Sequence, residues 1–482
     1  MFIIKSNQAQ YEYDIHSLVK AFYPEEEVRV LTPESVIKDR KITEYPVALQ
    51  ITFGLEEIEL VFADGGHYRQ AHTGQGQPDD KNAFKRFLYH SLREETGQTL
   101  PWGNLTGIRP TKIAMAMLEQ GRTEDEICSF LEHEHMVSHE KAMLGIEIAR
   151  REASILEPLH YENGYSLYIG IPFCPTTCLY CSFTSFPISM WKEKVAEYLS
   201  ALEKELSYIA QTYRDKTLDT VYIGGGTPTS LSAGELDRLL RKIKDLFDFS
   251  AVAEFTVEAG RADSITEDKL KVLYRHGVTR ISVNPQTMKQ ETLELIGRRH
   301  TVWQVMEAYK MARDIGFDNI NMDIILGLPG EKAEDVRETI TQIETLAPDS
   351  LTVHSLAIKR ASKMAQWIVE NGILSLHNTD ETMRIAEKGA RRMGMAPYYL
   401  YRQKNMSGNF ENVGYAVPGK YGIYNILIME EKQSIIAVGA GTVTKRVYGD
   451  GRIERCDTVK DVTGYIERID EMIERKRLLL CD

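Results

Sequence analysis

Pro172-Phe173-Cys174-Pro175-Thr176-Thr177-Cys178-Leu179-Tyr180-Cys181 sets three thiols at CxxxCxxC spacing in one short loop. Thiolates so spaced can hold three corners of a 4Fe-4S cube, which leaves the fourth iron without a protein ligand. An open metal position is a place for chemistry, whereas a fourth cysteine would complete an electron carrier. The alternative is a structural zinc, which needs a fourth Cys or His ligand, and the loop contains no histidine.

Immediately before the loop, Leu167-Tyr168-Ile169-Gly170-Ile171 reads as a strand, and a helical pattern runs from Met190 to about Tyr213. This β-loop-α cycle repeats. Thr220 to Ile223 is followed by a helix from Ala233, Glu254 to Val257 by one from Thr266, and Arg280 to Val283 by helical segments to Ile315. Asn321 to Leu326, with a helix near Glu331, and Ser350 to Ser355 complete the run. Strands separated by helices argue for parallel βαβ units with right-handed crossovers. Periodicity alone does not choose between an open sheet and most of a barrel; the motifs favour the barrel. The expected fold is α/β: an incomplete (β/α)6 barrel over 156–360, an N-terminal α+β domain over 1–155, and a small C-terminal sheet and helix extension over 361–482. In the extension, Tyr421 to Met429 and Ser434 to Val438 read as strands, Tyr448 to Arg452 as a hairpin, and Val459 to Leu478 as a helix.

The bulk numbers describe an ordinary globular chain of 482 residues, 43% hydrophobic and 27% charged. A net charge of -12 disfavours attraction to phosphate backbones, so nucleic acid is not expected as a partner. No apolar run reaches the length of a bilayer span, and a cytoplasmic location is expected. Six cysteines, three of them crowded together, fit a metal site better than a disulfide framework. Cys128, Cys456 and Cys481 are scattered and read as inert small apolar residues.

Ligands of parallel α/β folds bind beyond the carboxyl ends of the strands, so residues there carry extra weight. Gly224-Gly225-Gly226-Thr227-Pro228 follows the second strand and allows close backbone approach, with amides and carbonyls that can bind a polar ligand. Together with Tyr168 to Cys174, Ile281 to Gln286 and Met322 to Pro329, these motifs resemble the radical S-adenosylmethionine (SAM) enzymes, and more closely the oxygen-independent coproporphyrinogen III oxidase group. The branch resembled is that of the HemZ-type coproporphyrinogen dehydrogenases, which Trp102 to Lys112 also resembles. The resemblance implies a 4Fe-4S cluster on Cys174, Cys178 and Cys181, with SAM on the open iron. It implies Tyr168 lining the cluster side, Gly225, Gly226 and Thr227 at the methionine moiety, and Arg298 on its carboxylate. Glu258, Gln286 and Asp323 would hold polar groups of SAM, chiefly the ribose hydroxyls, and Ala357 would touch the adenine.

The activity implied is radical-based oxidative decarboxylation of coproporphyrinogen propionates to vinyl groups, with a flavodoxin or ferredoxin as low-potential electron donor. A tetrapyrrole with four carboxylates needs cations, and Lys359, Arg360, Lys363, Arg402 and Lys404 are candidates. His354, on the sixth strand, reads as a packed core histidine, or as a proton relay or substrate contact if it points inward. The pattern departs from the best-known oxidases at Phe183, where they carry a fourth cysteine, and at Gly170, where they carry histidine. It departs from the family's haem chaperones at Tyr424-Asn425, where they have His-Asn. A haem carrier and an enzyme acting on haem are the competing readings.

Overall fold

Alternation along the central strands decides which side chains face the interior of the sheet's curve. In β6 (Gly164–Ile171), which follows five strands of the N-terminal region, Leu167, Ile169 and Ile171 are fully buried, while Ser166 and Tyr168 point the other way. The computed structural model describes residues 1–34, 46–71, 78–107, 109–358, 362–372, 376, 378–403 and 406–480. They cluster into two compact units, Met1–Arg150 with Arg402–Phe410, and Arg151–Tyr401 with Glu411–Asp482.

The first unit carries β1 (Phe2–Ser6), β2 (Val28–Leu31), β3 (Val47–Phe53), β4 (Glu57–Phe62) and β5 (His67–Ala71) in the order β2-β1-β3-β4-β5. Helix Glu12–Phe22 lays Ile15, Leu18 and Phe22 in one core with Leu49, Ile51 and Phe84. The Trp102 to Lys112 motif begins with a structural clamp. Gly103 has φ +52°, and a Cβ there would collide with the His135 carbonyl. The amide of Asn104 donates to that carbonyl at 2.9 Å, fixing the end of helix Glu124–His135.

The second unit continues from β6 through the short pair β7 (Phe173–Cys174) and β8 (Phe186–Pro187) to β9 (Thr217–Gly225), β10 (Glu254–Gly260), β11 (Arg280–Val283), β12 (Ile320–Leu326) and β13 (Ser350–Ser355). β6 and β9 to β13 lie side by side in sequence order and all run parallel, as the βα repeat requires. Register keeps one face polar from strand to strand: Tyr168 lies beside Tyr222, Tyr222 beside Thr256, Thr256 beside Arg280, Ser282 beside Asn321, and Asp323 beside Thr352. The opposite face carries Val221, Ile223, Phe255, Val257, Ile281, Met322 and Val353, all essentially inaccessible. Helices with matching apolar stripes return the chain, such as Ala233–Leu246 with Leu236, Leu239, Leu240 and Ile243 buried. The sheet is therefore an incomplete barrel with an apolar outer layer and a polar concave face.

The tail over 361–482, expected as a sheet extension with a closing helix, joins the barrel sheet. Arg402–Phe410 groups with the first unit, and the remainder adds to both edges of the barrel sheet. β14 (Ala396–Tyr401) and β15 (Asn412–Ala416) attach antiparallel beside β13, while β16 (Ser434–Val438) pairs parallel with β6 and carries β17 (Val443–Val447) and β18 (Ile453–Asp457). Tyr421 to Met429 is a correction: Ile423–Glu430 is a helix. Its apolar run has no strand alternation, and the Ile423 amide donates to Glu254 Oε2 at 2.5 Å, starting a turn where a strand would need an edge. The closing helix is two, Val462–Glu467 and Ile469–Leu480.

The last helix is locked by a fully buried ion pair, Lys476 Nζ to Glu205 Oε1 at 2.5 Å. Glu205 Oε2 also accepts from Tyr465 at 2.5 Å and from the Gly439 amide at 2.9 Å, so its lone pairs are well used. Lys476→Met strands that carboxylate without its cation, and chemical denaturation of the chain should show a loss of about 3–5 kcal/mol. Adding Glu205→Gln should restore part of it; equal stability of Lys476→Met and wild type contradicts this assignment.

Candidate metal and cofactor site

The three cysteines sit beyond the carboxyl end of β6, on a loop closed by the Phe186 amide donating to the Pro172 carbonyl at 2.8 Å. Cys174 and Cys178 are buried and Cys181 half-buried. Cys174 Sγ lies 3.4 Å from Thr227 Oγ1, Cys181 Sγ 3.8 Å from Ser185 Oγ, and Cys178 Sγ accepts from Arg261 at 3.6 Å. Burial pushes the Cys174 thiol up to about 11 and raises Cys181 as well. Thiolates here therefore need a compensating cation, and metal binding must release their protons. Two sulfurs bound to a single zinc lie about 3.8 Å apart, given Zn–S near 2.3 Å. Among the described residues the cysteines form no cluster of that tightness; the one trio of donors within 4.8 Å is elsewhere.

Two buried guanidiniums support the loop. Arg261 binds Thr176 twice, through its carbonyl at 3.0 Å and its hydroxyl at 2.8 Å, and is oriented by Asp263 at 2.6 Å. Arg298 donates to the Asn284 carbonyl at 2.5 Å and to the Tyr180 hydroxyl at 3.1 Å. Sequence reading missed Arg261, although it directly follows β10 and so satisfies the strand-end rule.

The glycine turn after β9 serves approach rather than amide donation. The Gly226 and Thr227 amides donate to the Ile171 and Phe173 carbonyls at 2.8 and 2.7 Å, and the Gly225 amide is taken by Glu258. The expectation that these amides are open to a ligand is corrected: they stitch β9 to the cysteine loop. A Cβ at Gly226 would lie 2.6 Å from the Phe173 carbonyl and 3.0 Å from Cys174 Sγ, and Gly225 has φ +108°.

Tyr168, Glu258, Asp323 and His354 join on the polar face. The Tyr222 hydroxyl donates to Glu258 Oε1 at 2.6 Å, and the rings of Tyr168, Tyr222 and Tyr424 stack, with centroids 4.4 to 6.0 Å apart. Burial, with the nearby Asp323 carboxylate, pushes Glu258 up to about 7 against the Tyr222 and Gly225 hydrogen bonds. Burial would raise Asp323 too, but His354, 3.8 Å away, and Asn321, donating at 2.6 Å, hold it below the usual carboxylate range. His354 is thus half-buried on the polar face, 3.4 Å from the Tyr401 hydroxyl, rather than packed in the apolar layer.

Past β11, Gln286 adopts φ +70° and couples to β12 by its amide and carbonyl, each at 2.9 Å. Ser282 Oγ, Asn284 Oδ1, Gln286 Oε1 and Arg298 Nε are all buried without a hydrogen-bond partner in the protein. Buried polar atoms are normally satisfied, so this run fits a polar ligand that completes it. Gln286 and Arg298 were expected here; Ser282 and Asn284 were not. Ala357 is half-buried just past β13. Of the proposed propionate cations, Lys363 is exposed at the start of helix Met364–Asn371, and Arg402 is buried. Arg402 is committed to the Leu105 carbonyl at 2.5 Å and to Asn409 at 2.7 Å, which corrects its reading as a substrate cation. Lys359, Arg360 and Lys404 lie outside the described residues. A Cβ at Gly170 would meet Thr442 Cγ2 at 2.6 Å, so the room a histidine would need is filled. Phe183 is 74% exposed.

A cysteine loop on a partial parallel barrel is the hallmark of a radical SAM protein, and a family model described as "Radical SAM superfamily" matches residues 168–343. The oxygen-independent coproporphyrinogen-III oxidase-like protein HemZ of Bacillus subtilis is 41% identical over 426 residues, 86% of this chain and 85% of that protein. The heme chaperone HemW of the same organism is 39% identical over 243 residues, 50% of this chain and 63% of its own. The solved coproporphyrinogen III oxidase HemN of Escherichia coli superposes with TM-score 0.53 at 23% identity, over 69% of this chain and 73% of that one, which shows the shared fold. The chain belongs to the oxygen-independent coproporphyrinogen III oxidase-like family of radical SAM enzymes. Its cofactors are those of the superfamily, a 4Fe-4S cluster and SAM, and the three thiols, the glycine approach and the unpaired polar run fit them. Among the described residues no helix is long and apolar enough to cross a membrane.

Gly226→Ala should leave the far-ultraviolet circular dichroism unchanged while iron per chain and SAM cleavage both collapse; normal iron loading would refute the contact argument. Glu258 gives a pH signature. The folded chain holds its proton more tightly than the unfolded chain, so its stabilising contribution is complete below the ordinary glutamate value of 4.5 and is lost as pH rises through about 7. Urea unfolding of the metal-free chain between pH 5 and 8 should show this decline in wild type and less of it in Glu258→Gln.

Proposed function

We propose that the protein is an oxidoreductase that converts propionate side chains of coproporphyrinogen III to vinyl groups without oxygen, in porphyrin biosynthesis. The observation that carries the reading is a loop with three thiols beyond the carboxyl end of β6, in a fold where Ser282, Asn284, Gln286 and Arg298 leave buried polar atoms without protein partners. When bound, the cluster and SAM supply one-electron cleavage of a carbon-sulfur bond and a radical able to abstract hydrogen. Each propionate then loses a β-hydrogen atom, carbon dioxide and one electron, which an acceptor takes up. A flavodoxin or ferredoxin is the proposed donor for the cleavage.

The chain's own residues bind, orient and exclude water. Cys174, Cys178 and Cys181 hold the irons. Gly225, Gly226 and Thr227 let the methionine end approach, and Arg298 Nε is available to its carboxylate. Gln286, Glu258 and Asp323 offer acceptors to the ribose, Ala357 borders the adenine, and Tyr168 with its stacked partners walls the cluster side. Tyr424 speaks against a haem carrier, because the position where the chaperones have histidine holds a buried phenol stacked on Tyr222.

The test is anaerobic incubation of the reconstituted protein with coproporphyrinogen III, SAM and reduced flavodoxin. Vinyl product should form with one 5′-deoxyadenosine per vinyl group, and Cys181→Ala should abolish both. Stoichiometric haem binding with no vinyl product would replace the enzyme reading with the carrier.

A further inference from the structure

The N-terminal unit contains a second set of metal-ligand types, remote in sequence from the cysteine loop. Cys128 and Glu132 are one helical turn apart on helix Glu124–His135, so both side chains project from one face. That helix is held at both ends, by the Thr123–Glu126 capping box and by Met136 in the left-handed region at φ +52°. The next helix, His139–Leu156, begins three residues later. Its turn is pinned by the Val137 amide on the Leu131 carbonyl at 3.1 Å and the Ser138 amide on the Pro101 carbonyl at 3.0 Å. This places the His139 ring against the other two. Cys128 Sγ is 3.5 Å from His139 Nδ1, which is 2.8 Å from Glu132 Oε1, and all three donor atoms lie within 4.8 Å of one another.

In a tetrahedral zinc site with Zn–S near 2.3 Å and Zn–N near 2.0 Å, sulfur and nitrogen stand about 3.6 Å apart. The observed sulfur-nitrogen spacing of 3.5 Å is that of two ligands of one ion, while the nitrogen-oxygen distance of 2.8 Å is that of a hydrogen bond, which Glu132 must open by about 0.5 Å as the ion enters. A thiolate, an imidazole and a carboxylate are a donor set for zinc, since magnesium and calcium take oxygen ligands. Accessibility is graded across the trio: Cys128 is buried, Glu132 half-buried, and the His139 side chain 74% exposed. The fourth position is therefore left to solvent. We propose that Cys128, Glu132 and His139 bind a zinc ion with water in the open fourth position, an exchangeable site rather than a closed structural one, independently of the iron-sulfur chemistry. Binding displaces the Cys128 proton to solvent, so affinity rises with pH.

The experiment uses the full chain with its cluster assembled, so that Cys174, Cys178 and Cys181 are occupied. After removal of loosely held metal, anaerobic zinc titration against a chromophoric chelator should give one zinc per chain. Cys128→Ser and His139→Gln should each weaken it by about ten-fold or more. Cobalt(II) in the same protein should give a sulfur-to-metal charge-transfer band that Cys128→Ser abolishes, a signature that a mere hydrogen-bonded trio does not produce. SAM cleavage should be unchanged in both variants. Should Cys128→Ser fold poorly, His139→Gln, altered on an exposed ring, decides alone. Zinc binding that persists in His139→Gln at wild-type affinity, or no stoichiometric zinc in the wild type, overturns the assignment.

Discussion

No side chain fits at position 226, and the reason is the contact on which the rest of the site depends. The end of β9 crosses the start of the cysteine loop backbone to backbone, with the Gly226 and Thr227 amides bonded to the Ile171 and Phe173 carbonyls. This fixes where Cys174 emerges relative to the other strand ends. Cys178 and Cys181 are then placed by a second layer, Arg261 on Thr176 and Cys178 and the Leu179 amide on the Ile296 carbonyl. A cluster needs its sulfurs in register to fractions of an ångström, and neither layer leaves that to a flexible loop.

Charge is arranged to match. The loop gathers groups that become anionic when metal binds, and buried guanidiniums stand next to them, Arg261 beside Cys178 and Arg298 beside Tyr180. Further along the polar face the balance is reversed, with Glu258 and Asp323 sharing one neighbourhood and His354 facing them. Glu258 responds by holding its proton, while Asp323 is kept ionised by its closer partners. Two carboxyls of unequal acidity side by side can offer a donor and an acceptor at once, which suits a pair of vicinal hydroxyls.

Much of this architecture was legible from residues. Strands β6 and β9 to β13 announced themselves as β-rich runs separated by helical periodicity, and the family resemblance, not periodicity, named Tyr168, Glu258, Gln286 and Asp323 as candidates. Local patterns failed where tertiary contacts decide. Ile423–Glu430 is an apolar run that a strand or a buried helix would explain equally well, and only Glu254 beneath its first amide settles the matter. Arg402 looked like a free cation because sequence cannot reveal the Leu105 and Asn409 oxygens waiting for it. Gly170 looked like a lost histidine; in space it is a position already filled by Thr442.

The buried Glu205–Lys476 pair has a temporal side. Through helix Val195–Thr212 it bears on the loop: Tyr198 donates to the Gly170 carbonyl, four residues before Cys174, and accepts from the Ala440 amide. The partners of that anchor lie 271 residues apart in the chain. At roughly 5–20 residues per second, a ribosome takes roughly 15 to 55 s to cover that distance. Over that interval the segment carrying Cys174, Cys178 and Cys181 lacks its far brace, which forms only once the chain has been made through Lys476.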